Sequence, residues 1–298
     1  MTIRRSIQGF LFVACVCGVG SVNAQAPLST MASQPEIERQ VVRGQDPAME
    51  NVDEAEEDDE IETDRDSFTP AATTAGWGRL IVESAYSFVD NRDAYETHSL
   101  PELVLRYGLT DWLEIRLGWN YEIGGEAASI SGGDLGEEFF SSKLVEEHQA
   151  SYGIKLGLTE QNGWLPTSAM IVQGFTPTGG PNPDSNVIAT YVCGWTLGNG
   201  WKLDSAVRYG TESEHEDHGN LWAPSVVLKK QLGERWNTHL EYFGIFSDGF
   251  ERDRTSQYLS PGIHYLIHAN YEVGLRVGWG LNEDAANFFS NIGVGYRF

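Results

Sequence analysis

The sequence predicts an all-β protein, a transmembrane antiparallel up-and-down β-barrel of about 12 strands. Three observations carry this: an export signal at the N-terminus, ten-residue segments in which apolar and polar residues alternate, and a final alternating segment that ends on an aromatic residue.

The export signal comes first. Arg4 and Arg5 form a basic start, residues 7–22 form an apolar run, and Val22-Asn23-Ala24 offers a cleavage site, so residues 1–24 read as a signal peptide. The apolar run is short for a membrane anchor. Phe12-Val13-Ala14-Cys15 loosely resembles a lipoprotein processing site, but Phe12 stands where leucine is usual and the apolar run continues past the cysteine. Cys15 and Cys17 leave with the signal, so Cys193 alone remains and no intramolecular disulfide can form.

The second segment, residues 25–76, carries 14 acidic and 3 basic side chains and lacks periodicity; residues 53–66 are almost continuously acidic. Such a stretch cannot bury enough apolar surface to offset its ordering entropy. It is expected to be a disordered periplasmic tail, acting as a solvated spacer or as a tether for a basic partner or divalent cations. The whole chain has a formal charge of −23. That excludes non-specific nucleic-acid binding, which needs a basic footprint.

Residues 77–298 are expected to form the barrel. Leu113, Ile115, Leu117, Trp119 and Tyr121 share one face of a segment, with Glu114, Arg116, Gly118, Asn120 and Glu122 on the other. Tyr271, Val273, Leu275, Val277, Trp279 and Leu281 repeat the pattern against Glu272, Gly274, Arg276, Gly278 and Gly280. Charges on the second face argue against a sandwich core, and the apolar first face needs lipid or another sheet to cover it. Strands are expected at 79–89, 97–108, 112–123, 144–158, 165–177, 186–197, 201–211, 220–231, 236–247, 256–267, 271–281 and 288–298. Each is long enough to cross a bilayer at a tilt.

Connections alternate in length. Short ones lie at 109–111, 198–200, 233–235 and 268–270, with a somewhat longer turn at 159–164. Long ones lie at 90–96, 124–143, 178–185, 212–219, 248–255 and 282–287. Outer-membrane barrels have short periplasmic turns and longer external loops, which sets the orientation. Trp77, Trp112, Trp201 and Trp236 flank the short-turn end as an aromatic girdle. In the last segment Phe288, Ser290, Ile292, Val294, Tyr296 and Phe298 alternate, and Tyr296 and Phe298 read as the signal for barrel-insertion machinery.

Three stretches resemble a known family: Thr97-His98-Ser99-Leu100-Pro101-Glu102-Leu103, then Leu105-Arg106-Tyr107-Gly108-Leu109-Thr110-Asp111, then Leu113-Glu114-Ile115-Arg116-Leu117-Gly118. The family is the putative MetA pathway of phenol degradation, whose members are often called simply transporters. Arg79-Leu80 with Glu83 and Tyr86, Thr176-Pro177-Thr178-Gly179, Ser260-Pro261-Gly262, Gly280-Leu281-Asn282 and Tyr296-Arg297-Phe298 resemble further stretches of it. The resemblance covers most of 77–298 but neither the acidic tail nor the 124–143 loop. It implies an outer-membrane barrel and uptake of phenolic or other hydrophobic compounds; it supplies no catalytic residues.

Candidate functional residues follow from the polar face. Glu114, Arg116, Asp204, Arg208, His239, Glu241, His264, Glu272 and Arg276 are expected to line the lumen. Strand charges nearly balance, so opposite charges should pair there, because an unpaired one away from water is costly. His239 and His264, with Glu241 and Ser260 on the same side, have the residue types of base chemistry. Nothing marks an oxyanion hole or a nucleophile elbow, and a luminal hydrogen-bond network is the simpler reading. His215 and His218 sit among carboxylates and could take zinc or copper, but no third or fourth ligand is assured. Gly124-Gly125 and Gly132-Gly133 read as hinges of the long loop.

The expected function is a narrow outer-membrane channel for small, phenolic or hydrophobic solutes, not an enzyme, with no cofactor and no bound metal. Its expected partners are outer-membrane lipid and lipopolysaccharide, the insertion machinery and a small solute. The alternatives are an enzyme with a His/carboxylate site at the lumen mouth and a structural barrel with a filled lumen.

Overall fold

The computed structural model describes residues 60–65, 67–92, 94–124, 144–181, 184–214, 217–249 and 254–298. Twelve strands run in chain order: β1 (Leu80–Asp90), β2 (Thr97–Gly108), β3 (Leu113–Gly124), β4 (Val145–Thr159), β5 (Thr167–Gly179), β6 (Asn186–Gly198), β7 (Trp201–Glu214), β8 (Asp217–Gln231), β9 (Trp236–Asp248), β10 (Thr255–His268), β11 (Tyr271–Gly280) and β12 (Phe288–Arg297). Every strand pairs antiparallel with its neighbours in sequence, and β1 pairs with β12 from Ile81↔Arg297 to Asp90↔Phe288. The sheet therefore closes, which satisfies every strand edge and permits a lipid-facing exterior.

The alternation read from sequence sets the faces. Ile115, Leu117 and Trp119 on β3 are exposed outward while Glu114 and Arg116 are buried inward. Leu275, Trp279, Ile292, Val294 and Tyr296 repeat the outward pattern on β11 and β12. Trp77, Trp112, Trp201 and Trp236 are exposed at the short-turn end. The β6–β7 turn is tight: Gly198, Asn199 and Gly200 all have positive φ, a conformation open to glycine and tolerated by asparagine.

Three expectations need correction. First, β7 and β8 pair out to Glu214↔Asp217, so the residues expected as an eight-residue loop at 212–219 instead extend the hairpin. The extension is polar and was not distinguishable from loop by composition. Second, the inner face is not polar throughout. Toward the long-connection end it carries Val89, Phe175, Ile188, Leu221, Phe243, Tyr258 and Phe289, packed as a core with Ala285 of the β11–β12 connection. That connection folds inward: Ser256 Oγ donates to the Asp284 carbonyl (3.0 Å) and Arg92 Nε to the Ala285 carbonyl (3.0 Å).

Third, the described part of the segment expected to be structureless, from 60 to 76, lies inside the barrel. Asp64, Ser67, Phe68, Thr69 and Ala71 are at most 1% exposed. The acidic run does not solvate itself here; the wall supplies the cations and carboxylates that hold it. Residues 25–59, and the glycines at 125, 132 and 133, fall outside the described residues.

Candidate functional site in the barrel lumen

The loop of residues 60–76 enters the lumen at the short-turn end, where Ile61 N donates to the Ala269 carbonyl of the β10–β11 turn (2.9 Å). It leaves by the same end, where Thr74 Oγ1 donates to the Asp111 carbonyl (2.6 Å) and Trp77 N to Asp111 Oδ1 (3.2 Å). Bonds across the loop hold its two limbs together: Ala71 N to Asp64 Oδ1 (2.9 Å) and Thr73 Oγ1 to Glu62 Oε2 (2.6 Å).

Wall carboxylates receive the loop's backbone N–H groups. Glu83 on β1 accepts from Asp64 N (2.8 Å) and Arg65 N (2.9 Å). Glu114 on β3 accepts from Ala75 N (2.8 Å). Glu241 on β9 accepts from Phe68 N (2.9 Å) and Thr69 N (2.7 Å). A backbone donor buried without a partner is costly, and these carboxylates do here what a sheet ladder does elsewhere.

Asp64 is the electrostatic centre. Its carboxylate lies 2.5 Å from Arg116 Nη1, 3.6 Å from Arg106 Nη1 and 3.5 Å from Lys155 Nζ. Burial would raise its pKa, but the three cations hold it well below the ordinary carboxylate range. Arg106 also pairs with Glu83 (2.9 Å) and Glu114 (3.0 Å), and Arg116 with Glu114 (2.8 Å). Nearer the opening, Glu62 meets Lys202 Nζ at 2.6 Å. Burial pushes Glu62 up, and Lys202 and Lys229 more than reverse this, leaving it at about 2.

At the tip, Phe68 lies flat on Phe243, ring centroids 4.3 Å apart and planes 8° apart. The Arg208 guanidinium covers the Phe68 ring at 4.1 Å and donates to the Phe68 carbonyl. Arg276 pairs with Glu241 at 3.3 Å. A gap between the loop and β11–β12, lined by Thr63, Arg65, Glu272, Arg276 and Asn291, measures ≈ 10 Å³, about one water molecule.

All nine expected lumen residues face inward and are buried. Glu114 and Arg116 join the Asp64 cluster; Arg208, Glu241 and Arg276 gather at the loop tip; Asp204 pairs with Lys229 at 3.5 Å. His239 and His264 meet each other, Nδ1 to Nε2 at 2.8 Å, and His264 Nδ1 lies 3.7 Å from Glu272, which accepts from Thr63 Oγ1 (2.9 Å). Ser260 Oγ donates to the Val277 carbonyl, and Glu241 accepts from the loop's Phe68 and Thr69 N–H groups. Tyr296 and Phe298 face outward with rings 4.6 Å apart, and Phe298 N donates to the Leu80 carbonyl (2.8 Å). His215 and the side chain of His218 fall outside the described residues.

Glu83, Glu102, Arg106 and Lys155 were not among the expected lumen residues, although each is buried and inward. The loop itself was missed. Its trace in the sequence is glycine on the inner face: a Cβ at Gly108 would collide with the backbone of Gly76, and one at Gly295 with Thr63. Small inward residues leave room for a second layer of chain.

Residues 63–298 match the family described as "Putative MetA-pathway of phenol degradation". The chain belongs to this family. The family match begins at Thr63, so it takes in most of the luminal loop as well as the barrel. Among solved structures the fold resembles the NanC porin, at 8% identity and a TM-score of 0.50, over 73% of this chain and 98% of that one. The KdgM porin (9% identity, TM-score 0.44) covers 73% of this chain and 99% of its own, and OmpT of Vibrio cholerae with loop L8 deleted (10%, 0.42) covers 74% and 98%. The family member described here thus has a closed, 12-stranded barrel of outer-membrane porin type.

Proposed function

We propose that the protein is an outer-membrane conduit for small aromatic solutes, gated by its own luminal loop. The observation that carries this reading is the aromatic wall of the lumen toward the long connections, where Phe175, Phe243, Tyr258 and Phe289 face inward. An aromatic solute exchanges water for ring contacts on such a surface and gains both area burial and stacking there. The exterior supports the bilayer setting, since large apolar side chains are exposed on β2 to β12. In this reading the short turns and the loop's entrance face the periplasm, as an exported N-terminal segment requires.

The paired charges below the aromatic wall leave little net field along the axis, in contrast to the single-sign rings of ion-selective channels. Conductance of the intact chain is therefore low and weakly selective. His239 and His264 serve as luminal packing in this reading.

The loop within the lumen favours a second reading, a structural barrel that passes nothing. The two are separated by entry of radiolabelled aromatic compounds into cells with an intact outer membrane, with and without the chain, and a hexose as control. Faster aromatic entry with unchanged hexose entry is expected. Equal acceleration of both overturns the aromatic specificity, and no acceleration of either leaves the structural barrel.

A further inference from the structure

The tip of the luminal loop is held by an aromatic ring, a guanidinium and a carboxylate of the wall. Phe68 has an aromatic face on one side, Phe243 at 4.3 Å, and a guanidinium on the other, Arg208 at 4.1 Å. Its carbonyl accepts from Arg208 Nη2. Its N–H and the Thr69 N–H and hydroxyl all donate to Glu241, at 2.9, 2.7 and 2.7 Å. Thr69 Oγ1 also lies 2.8 Å from Ser225 Oγ. The tip thus presents one ring and one acceptor to Phe243 and Arg208, and two backbone N–H groups and one hydroxyl to Glu241.

A second observation points the same way. Arg208 is buried, and its Nη1 has no hydrogen-bond partner among the described residues. A peptide carbonyl supplies a single acceptor atom, so the guanidinium fork is half used. A carboxylate would meet both nitrogens at once.

We infer that Phe68 and Thr69 occupy, as a built-in mimic, a binding site for an aromatic ring bearing a carboxylate and a hydroxyl group. The site is formed by Phe243, Arg208, Glu241 and Ser225, and its relevance to transport rests on the solute-conduit reading. The ring stacks on Phe243 in place of Phe68. The carboxylate takes both Arg208 nitrogens, and the hydroxyl donates to Glu241 as Thr69 does now. A saturated ring with the same carboxylate lacks the stacking contact, and an unsubstituted aromatic hydrocarbon leaves Arg208 and Glu241 unanswered.

The test is calorimetric titration of the purified full mature barrel with 4-hydroxybenzoate, against cyclohexanecarboxylate. Two variants vacate the site: Phe68→Ala and a deletion of residues 60–74, each checked for folding by heat-modified gel mobility. At least one folded variant is expected to bind 4-hydroxybenzoate about tenfold or more tightly than the unaltered chain, from the freed ring contacts. Cyclohexanecarboxylate should bind about tenfold more weakly, and adding Arg208→Lys should abolish the gain. Folded variants that bind no better than the unaltered chain, or that do not distinguish the two probes, overturn the site. Saturable binding without solute entry into cells keeps the site and overturns the conduit; entry without binding does the reverse.

Discussion

Asp64 and Arg116 are 52 residues apart in the chain and 2.5 Å apart in the lumen. With Arg106 and Lys155 at 3.6 and 3.5 Å, Asp64 is the point at which the loop is held to β2, β3 and β4 together. Asp64→Asn keeps the shape but leaves three buried cations with less anionic partner. Removing one member of such a cluster weakens it by about 3 kcal/mol or more. The expected result is a barrel that still closes but whose loop becomes accessible to added protease and whose single-channel conductance rises. Conductance and proteolysis unchanged from the natural chain would show that the loop is held by other contacts.

The loop's register can be checked by a cross-link. A Cβ built on Gly295 lies 3.6 Å from the Cβ of Thr63, within the ~3.5–4.5 Å that a disulfide spans. In a Cys193→Ser background, the pair Thr63→Cys and Gly295→Cys should bridge on mild oxidation and lock the lumen shut. Reductant should reverse this in bilayer recordings. Two thiols that remain titratable after oxidation would mean that Thr63 does not sit against β12.

The Glu62–Lys202 contact gives a pH dependence of known sign. Glu62 falls from its ordinary 4.5 to about 2 in the folded chain. A carboxylate with a depressed folded pKa stabilises above its unfolded value and loses that contribution as pH falls through the folded one. The loop entrance should therefore be held fully above about pH 4.5 and released progressively toward pH 2. Glu62→Gln should flatten this window in hydrogen-exchange protection of residues 60–63; an identical acid profile in both chains would assign the transition to another group.

Phe298 closes the outward aromatic face beside Tyr296 and ties β12 to Leu80. Deleting it removes the ring from the strand that must find β1 to close the barrel. A several-fold loss of assembled protein and accumulation of protease-sensitive chain are expected in fractionated cells. Normal outer-membrane yield of the shortened chain would remove the terminal ring from the insertion signal.

Much of the barrel is legible in local alternation. Strand ends read from the pattern lie within three residues of those observed. In a wall with different surroundings on its two faces, a one-residue slip would put Glu114 and Arg116 outside and Leu113 and Ile115 in the lumen, so sequence and register are tightly coupled. The same logic placed all nine expected charged and histidine side chains inward. It could not tell apolar residues of the lumen from those of the outer surface where both faces are apolar, as at Phe288 and Phe289 or Tyr242 and Phe243. There the registers Gly278↔Phe289 and Phe243↔Tyr258 decide what each side chain meets.

The amino-acid sequence by itself determined the strands, their number and which face of each carries the charges it named, because alternation depends on neighbours two residues apart. Only the tertiary structure decided that residues 60–76 belong inside. Their partners lie on β1, β2, β3, β4, β7, β8, β9 and β11, as many as 209 residues away. An acidic, aperiodic stretch has no local reason to order. It orders here because a closed wall presents the cations for Asp64, the carboxylates for its backbone and a ring for Phe68, and that arrangement exists only after twelve strands have met.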